Sequence, residues 1–220
     1  MRILLIAVVL AIAFSAGTAY ATPIACTGPP VTVDVFPPAG PSAATFSCGG
    51  LLFSKFEVVL GSGNLTFGQI DLVSATNDNG DVVLHFNPNL SNALGTGFLD
   101  LWFYYSVTGA TNGIDLTVAG QNATITETAC SSPIDRVNAN ICTGGLLGQL
   151  AVVTNSSGVG RKDVTFPVAN SEFIFKDINV GPGGALSSFS ESHHAVPEAP
   201  TVALLGVSII GLAAVKKRRR

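Results

Sequence analysis

Apolar and polar residues alternate through most of the chain, and the period is two rather than 3.6. Alternating or β-rich runs cover Val31–Phe36, Leu51–Leu60, Leu65–Val73, Val82–Phe86, Phe98–Val107, Ile114–Val118, Ala123–Thr128, Leu146–Val153, Val164–Val168 and Phe173–Val180. Between them lie residues suited to tight turns: Asn79-Gly80, Gly95-Thr96-Gly97, Asn112-Gly113 and Gly181-Pro182-Gly183-Gly184. No long helical period interrupts this stretch. Around ten short strands with Gly, Asn and Pro between them predict an all-β domain, a single β-sandwich of jelly-roll-like type, over residues 22–186. Ser187, Ser188, Ser190, Ser192, His193 and His194 make 187–195 polar, and a flexible linker is expected there.

The pattern changes at both ends. Arg2 precedes an unbroken apolar run from Ile3 to Phe14, and Ala19-Tyr20-Ala21 offers the small-x-small pattern that signal peptidase reads. Residues 1–21 therefore read as a removed signal peptide, with the mature chain starting near Thr22. At the other end, Val202 to Val215 carries no charge and is followed by Lys216, Lys217, Arg218, Arg219 and Arg220. Fourteen helical residues span roughly 21 Å, short of a ~30 Å hydrocarbon core; starting the helix near residue 200 brings it closer to a thinned bilayer. A marginal transmembrane helix over 200–215 is expected, its cationic end held in the cytoplasm as a stop-transfer signal and the preceding domain outside.

Val196-Pro197-Glu198-Ala199-Pro200, a short apolar helix containing Gly206 and Gly211, and an Arg-rich end together resemble a PEP-CTERM sorting signal over residues 196–220. Ala199 stands where the family's second proline is usual, and Pro200 follows it. The resemblance implies an exported protein of a Gram-negative bacterium, held transiently in the inner membrane and processed near Pro197-Glu198 by an exosortase-like enzyme. It would then be delivered to the cell surface or the extracellular polysaccharide. Cys48-Gly49-Gly50, Phe53-Ser54-Lys55-Phe56 and Lys176-Asp177-Ile178 also resemble short stretches of other PEP-CTERM proteins, which implies a secreted β domain without an assigned activity.

Charge sharpens this picture. The chain's formal charge is −3, but six of its eleven cations lie in the two ends. From Thr22 to Val196 five cations (Lys55, Arg136, Arg161, Lys162, Lys176) face thirteen acids, a net of −8. So acidic a domain argues against nucleic acid as a partner, because that affinity rests on neutralising phosphates. All four cysteines lie in the mature part. Export favours disulfides, and of the three connectivities the local one, Cys26–Cys48 with Cys130–Cys142, is expected. A zinc site is the rival, disfavoured because no C-x-x-C spacing occurs.

Candidate chemistry is sparse. No G-x-S-x-G elbow is present, and a Ser-His-Asp site would need His85, His193 or His194. His85 alternates with Leu84 and Phe86 and reads as a solvent-facing strand residue. Asn77-Asp78-Asn79-Gly80-Asp81 invites a calcium loop, but Ala75 and Phe86 fall where the first and twelfth ligands belong, so a hairpin turn is the simpler reading. No metal, cofactor or catalytic set is expected. In Phe98–Tyr105, alternation puts Leu99, Leu101, Phe103 and Tyr105 on one face and Phe98, Asp100, Trp102 and Tyr104 on the other. The first face is core. Asp100, Trp102 and Tyr104 form a candidate glycan platform, in competition with a second buried face. The expected function is a non-enzymatic surface or matrix protein, with a carbohydrate-binding module for exopolysaccharide as the alternative and a secreted hydrolase as the second alternative.

Overall fold

The protein is described here by a computed structural model that covers residues 24–26, 31–34, 45–62, 69–78, 80–88, 90–92, 97–137, 140–156 and 158–196. The signal peptide with Ala19 and Ala21, the motif residues Pro197 to Pro200, the helix 200–215 and the basic end lie outside the described residues. Among the described residues, no helix is long and apolar enough to cross a membrane.

The expected alternation becomes strand throughout. In chain order the strands are β1 (Ile24–Ala25), β2 (Val31–Asp34), β3 (Phe46–Cys48), β4 (Leu51–Ser62), β5 (Gln69–Asp78), β6 (Asp81–Asn87), β7 (Leu90–Ser91), β8 (Leu99–Cys130), β9 (Ile134–Asp135), β10 (Ile141–Cys142), β11 (Leu146–Thr154) and β12 (Gly158–Ala195). The fold is all-β. Two of its strands are far longer than the short segments expected from sequence, because they continue through bends. Residues with positive φ sit at those bends: Gly109 at 133° and Asn122 at 48° in β8, and Gly183 at 71° in β12. Glycine and asparagine adopt this region more readily than other residues, so the chain changes direction without leaving the strand pairing. Asn112-Gly113, expected as a turn, lies inside β8, where Gly113 pairs with Thr165.

The bends divide the pairing into two sets of antiparallel strands. In the first, neighbours run in the order β3, β4, 99–108, 171–180, 123–130 and β11. In the second, β1 and β2 pair with β5, followed by β6, 185–195, 111–121 and 158–165. Inward side chains of the two sets meet in one core. Phe86 of the second set packs edge-to-face on Phe103 of the first at 5.3 Å, and Phe103 meets Phe189 at 6.2 Å. Leu99, Leu101, Phe103 and Tyr105 are all buried, as the alternation requires. Such ring pairs contribute about 0.5–1.5 kcal/mol each beyond the area they bury.

The stretch 187–195 corrects the reading of a flexible linker. It is the last length of β12, paired on one side with β6 and on the other with 111–119. Phe189, Glu191 and His193 point into the core and are buried, while Ser190 and His194 are partly exposed. Its polar composition misled because Glu191 and His193 are interior residues, paired with each other and with Lys176, Glu172 and Tyr105 of other strands. Both expected disulfides are present, Cys26–Cys48 and Cys130–Cys142. The second ties 131–145, with the small β9–β10 hairpin, to the end of β8.

Candidate functional site

The outward face of the first strand set carries the candidate platform. Pleating places Asp100, Trp102 and Tyr104 on that face, and strand register sets their neighbours. Trp102 lies opposite Val59 on one side and Asp177 on the other, and Asp177 in turn lies opposite Thr126. In the adjacent row Asp100 lies opposite Asn179, which lies opposite Thr124. Trp102, Asp100, Asp177, Asn179, Thr124 and Thr126 are all partly exposed. One open patch thus holds an indole, two carboxyls, an amide and two hydroxyls.

Several contacts fix this patch. The Trp102 side chain hydrogen-bonds the Asp100 carboxyl, and Asn179 Nδ2 donates to Asp177 Oδ1 at 2.8 Å. Burial raises the Asp100 carboxyl to about pH 6, helped by a hydrogen bond and charge repulsion from Asp177 and opposed by the Trp102 bond. Asp100 Oδ1 is buried without a hydrogen-bond partner among the described residues. Gly61 lies beneath both platform residues: a Cβ there would stand 2.8 Å from Asp100 Cγ and 3.2 Å from Trp102 Cε2. Only a glycine lets the indole and carboxyl settle so close to the neighbouring strand.

Tyr104 departs from the expectation. It is on the same face but buried under the 131–145 segment, which Cys130–Cys142 holds down. Its ring stacks on Phe175 at 5.1 Å, the Arg136 guanidinium lies 4.1 Å from its centroid, and its hydroxyl donates to Asn140 Oδ1 at 2.7 Å. Burial pushes its phenol up to about 12 despite the nearby Arg136 charge. Arg136 also bonds Glu57 Oε2 at 2.6 Å. Beside this cover is a cavity of about 200 Å³ whose lining includes Lys55, Tyr104, Ser106, Ile134, Arg136 and Phe173. Lys55 has φ 59°, at a bulge where the β4 register shifts between Ser54 and Glu57.

A second cluster lies inside the core. Lys176 Nζ is 2.6 Å from Glu127 Oε2 and 2.8 Å from Glu191 Oε2, and all three side chains are fully buried. His193 continues the chain: its Nε2 is 3.2 Å from Glu191 Oε1 and 3.0 Å from the Tyr105 hydroxyl, and its Nδ1 is 2.8 Å from Glu172 Oε2. Thr111 Oγ1 donates to Glu172 Oε1. Burial, with the Glu191 charge, raises Glu127 well above the carboxylate range. Burial opposes the charge on Glu191, yet Lys176 and His193 lower it overall. Burial likewise opposes the charges on Lys176 and His193, but the surrounding carboxylates win, raising Lys176 and bringing His193 to about 10. With Glu127 protonated, two cations face two carboxylates, so the core carries a balanced set rather than a net charge.

His85 is exposed and bonds Ser190 Oγ at 2.7 Å, as a solvent-facing strand residue should. Asp78 pairs with Asp81 across a tight hairpin, where Gly80 has φ 101° and its amide donates to Asn77 Oδ1 at 3.2 Å. Among the described residues there is no group of three or more side chains able to hold a metal ion. Sequence reasoning missed Gly61, Asp177 and Asn179, which reach the platform from other strands, and the whole buried cluster. The one available signal was Lys176-Asp177-Ile178-Asn179, whose alternation puts Asp177 and Asn179 on one face and Lys176 on the other.

No family model matches the chain, and no curated protein matches it. Among solved structures, TmCBM61 in complex with β-1,4-galactotriose is similar over 62% of this chain and 86% of its own, with 8% identity and a TM-score of 0.34. The enzymatically active domain of bacteriophage CBA120 tailspike protein 4 is similar over 63% of this chain but only 18% of its own, with 8% identity and a TM-score of 0.30. A carbohydrate-binding module of Cellvibrio mixtus lichenase 5A, in complex with cellotriose, is similar over 73% of this chain and 95% of its own, with 14% identity and a TM-score of 0.24. The functional reading therefore rests on the side chains above.

Proposed function

We propose that this chain is an exported, non-catalytic β-sandwich protein that binds polysaccharide on the outward face of its first strand set. The observation that carries the reading is Trp102, partly exposed and fixed over Gly61, with Asp100, Asp177, Asn179, Thr124 and Thr126 in the adjoining positions. An indole face stacks on the apolar side of a sugar ring, and the carboxyls, amide and hydroxyls around it match the ring's equatorial hydroxyls. The cavity beside Lys55 and Arg136 offers a place for a substituent at the edge of such a chain.

Two sets of strands whose rings meet in one core support the sandwich architecture, and the run of bends in β8 and β12 supports a jelly-roll-like path. The platform carboxyls support binding over hydrolysis. Asp100 and Asp177 hydrogen-bond each other, whereas paired glycosidase carboxyls stand about 5 Å or more apart to straddle the scissile bond. Delivery follows the ends of the chain: signal peptidase acting after Ala21, a transient hold in the inner membrane, and exosortase-like processing near Pro197-Glu198 before release to the surface or matrix.

Affinity electrophoresis through gels containing the exopolysaccharide of the producing cell tests the binding. Wild type is expected to be retarded, and Trp102→Ala to migrate freely with unchanged circular dichroism. Equal migration of both proteins in every polysaccharide tried would overturn the reading and leave a matrix protein without this site.

A further inference from the structure

We propose that Lys176 and Glu127 are joined in the mature protein by an amide bond between their side chains. The two residues are direct partners on neighbouring antiparallel stretches, 171–180 and 123–130, and both point into the core. Cross-strand partners of this kind hold their Cβ atoms about 4.5–5.5 Å apart, within easy reach of a lysine and a glutamate. Nζ already stands 2.6 Å from Glu127 Oε2. The third group that such a condensation needs, a carboxylate able to carry protons, is Glu191, 2.8 Å from the same nitrogen.

An ordinary buried ion pair explains these contacts poorly. Fully buried lysines are rare, and a buried pair is tolerated when aligned hydrogen bonds satisfy it. Here neither Lys176 Nζ nor any carboxyl oxygen of Glu127 or Glu191 has an aligned hydrogen-bond partner to satisfy it, although the distances are short. The Phe189 ring lies 5.8 Å from Nζ, and Ile174, Ile178 and Phe103 close the surroundings to water. Condensation would replace an ammonium and a carboxyl by one neutral amide and so remove the desolvation cost of both.

The chemistry balances without a cofactor or oxidant. Lys176 passes one ammonium proton to the Glu191 carboxylate 2.8 Å away, an uphill transfer because the partners of each group favour its charged form, so the free amine is a minor species. The free amine attacks the carboxyl carbon of Glu127, whose protonated form burial favours, and the C–N bond forms. Glu191 then relays the proton to the departing hydroxyl, the C–O bond breaks, and one water leaves. The nitrogen gives its surplus proton back to Glu191 as the amide forms, so an ammonium, a carboxylic acid and a carboxylate become an amide, one water and a protonated Glu191. Held groups react at effective concentrations of about 10⁵–10⁸ M, which offsets the tendency of bulk water to keep amine and acid apart.

Intact mass and peptide mapping of the folded, exported protein test the bond. With both termini mapped and both disulfides reduced, the wild-type chain is expected to be lighter than its sequence by one water. A branched peptide joining the Glu127 and Lys176 segments should appear, and trypsin should not cut after Lys176. Glu191→Gln is expected to give the full sequence mass and a cleavable Lys176 with unchanged circular dichroism. The wild-type measurement decides the bond whether or not that variant folds: a chain of full mass, cut after Lys176, would overturn the proposal. A Glu191→Gln chain that still loses water would overturn the role given to Glu191.

Discussion

Trp102 rests over Gly61 so closely that a Cβ at residue 61 would stand 3.2 Å from its indole and 2.8 Å from the carboxyl carbon of Asp100. The Asp100 carboxyl is the free end of a partly exposed side chain, so it gives way before the backbone does. Gly61→Ala is therefore expected to displace the Asp100 carboxyl and tilt the indole, at little cost to the fold. Polysaccharide affinity should fall about tenfold, roughly 1.4 kcal/mol, while the thermal midpoint moves little. Retardation in affinity gels read beside a thermal melt checks this, and unchanged affinity would remove Gly61 from the site.

The same patch should respond to pH. Asp100 titrates near 6 in the fold against an ordinary 3.8, so the folded chain binds the extra proton between those values. Whatever stability this protonation contributes is present below about 3.8 and lost as pH rises through 6. Above 6 the Asp100–Asp177 pair is left with two charges and one shared space. Trp102 is the chain's single tryptophan and is bonded to Asp100, so its fluorescence reports the event. A midpoint near 6 is expected, moving toward 3.8 in Asp177→Asn because the repelling carboxylate is gone. A flat profile from pH 4 to 8 would contradict the pairing.

Tyr104 is covered by the segment that Cys130–Cys142 ties to the end of β8. Replacing both cysteines by serine lengthens the free loop of the unfolded chain and should cost about 2–4 kcal/mol. Loss of the cover should also bring the Tyr104 phenol down from about 12 toward its ordinary 10. Absorbance titration of tyrosine separates the two effects, since Tyr105 in the core stays well above 10 in both proteins. A Tyr104 titration unchanged in the double serine variant would mean that Arg136 and Asn140 hold the segment without the disulfide.

The strands and both disulfides could be read from residue order, because alternation and short cysteine separations are local signals. Leu99, Leu101, Phe103 and Tyr105 fell on the core face for that reason, and Asp100 and Trp102 on the open one. What alternation could not supply is partnership across strands. Asp177 joins Trp102 through a register between segments about seventy-five residues apart in the chain, and Tyr104 is hidden by a loop that follows it. The error at 187–195 has the same origin. Glu191 and His193 look like linker residues until Lys176, Glu172 and Tyr105 are brought to them by other strands. Continuity of β8 and β12 through their bends was equally hidden, since Asn112-Gly113 and Gly181-Pro182-Gly183-Gly184 read as turns between separate strands yet lie within β8 and β12.

His193 gives the last prediction. Burial pulls its imidazolium down, but the Glu191 and Glu172 carboxylates outweigh burial and hold it at about 10, against an ordinary 6.5. A folded value raised above the unfolded one contributes stability that is fully present below 6.5 and lost as pH rises through 10. Denaturant unfolding should therefore show a steady loss of stability from pH 7 to 10. Thiol exchange does not confuse this range, because no cysteine is free. His193→Gln removes the cation and leaves Glu172 and Glu191 short of a partner, so at pH 7 it should cost about 3–5 kcal/mol. Its stability should then change far less with pH, since the titrating group is gone. A carbon-bound proton of the His193 ring, followed by NMR, should move with a midpoint near 10. A midpoint near 6.5 would mean that the ring is not charged within the core and that Glu191 and Glu172 do not hold its proton.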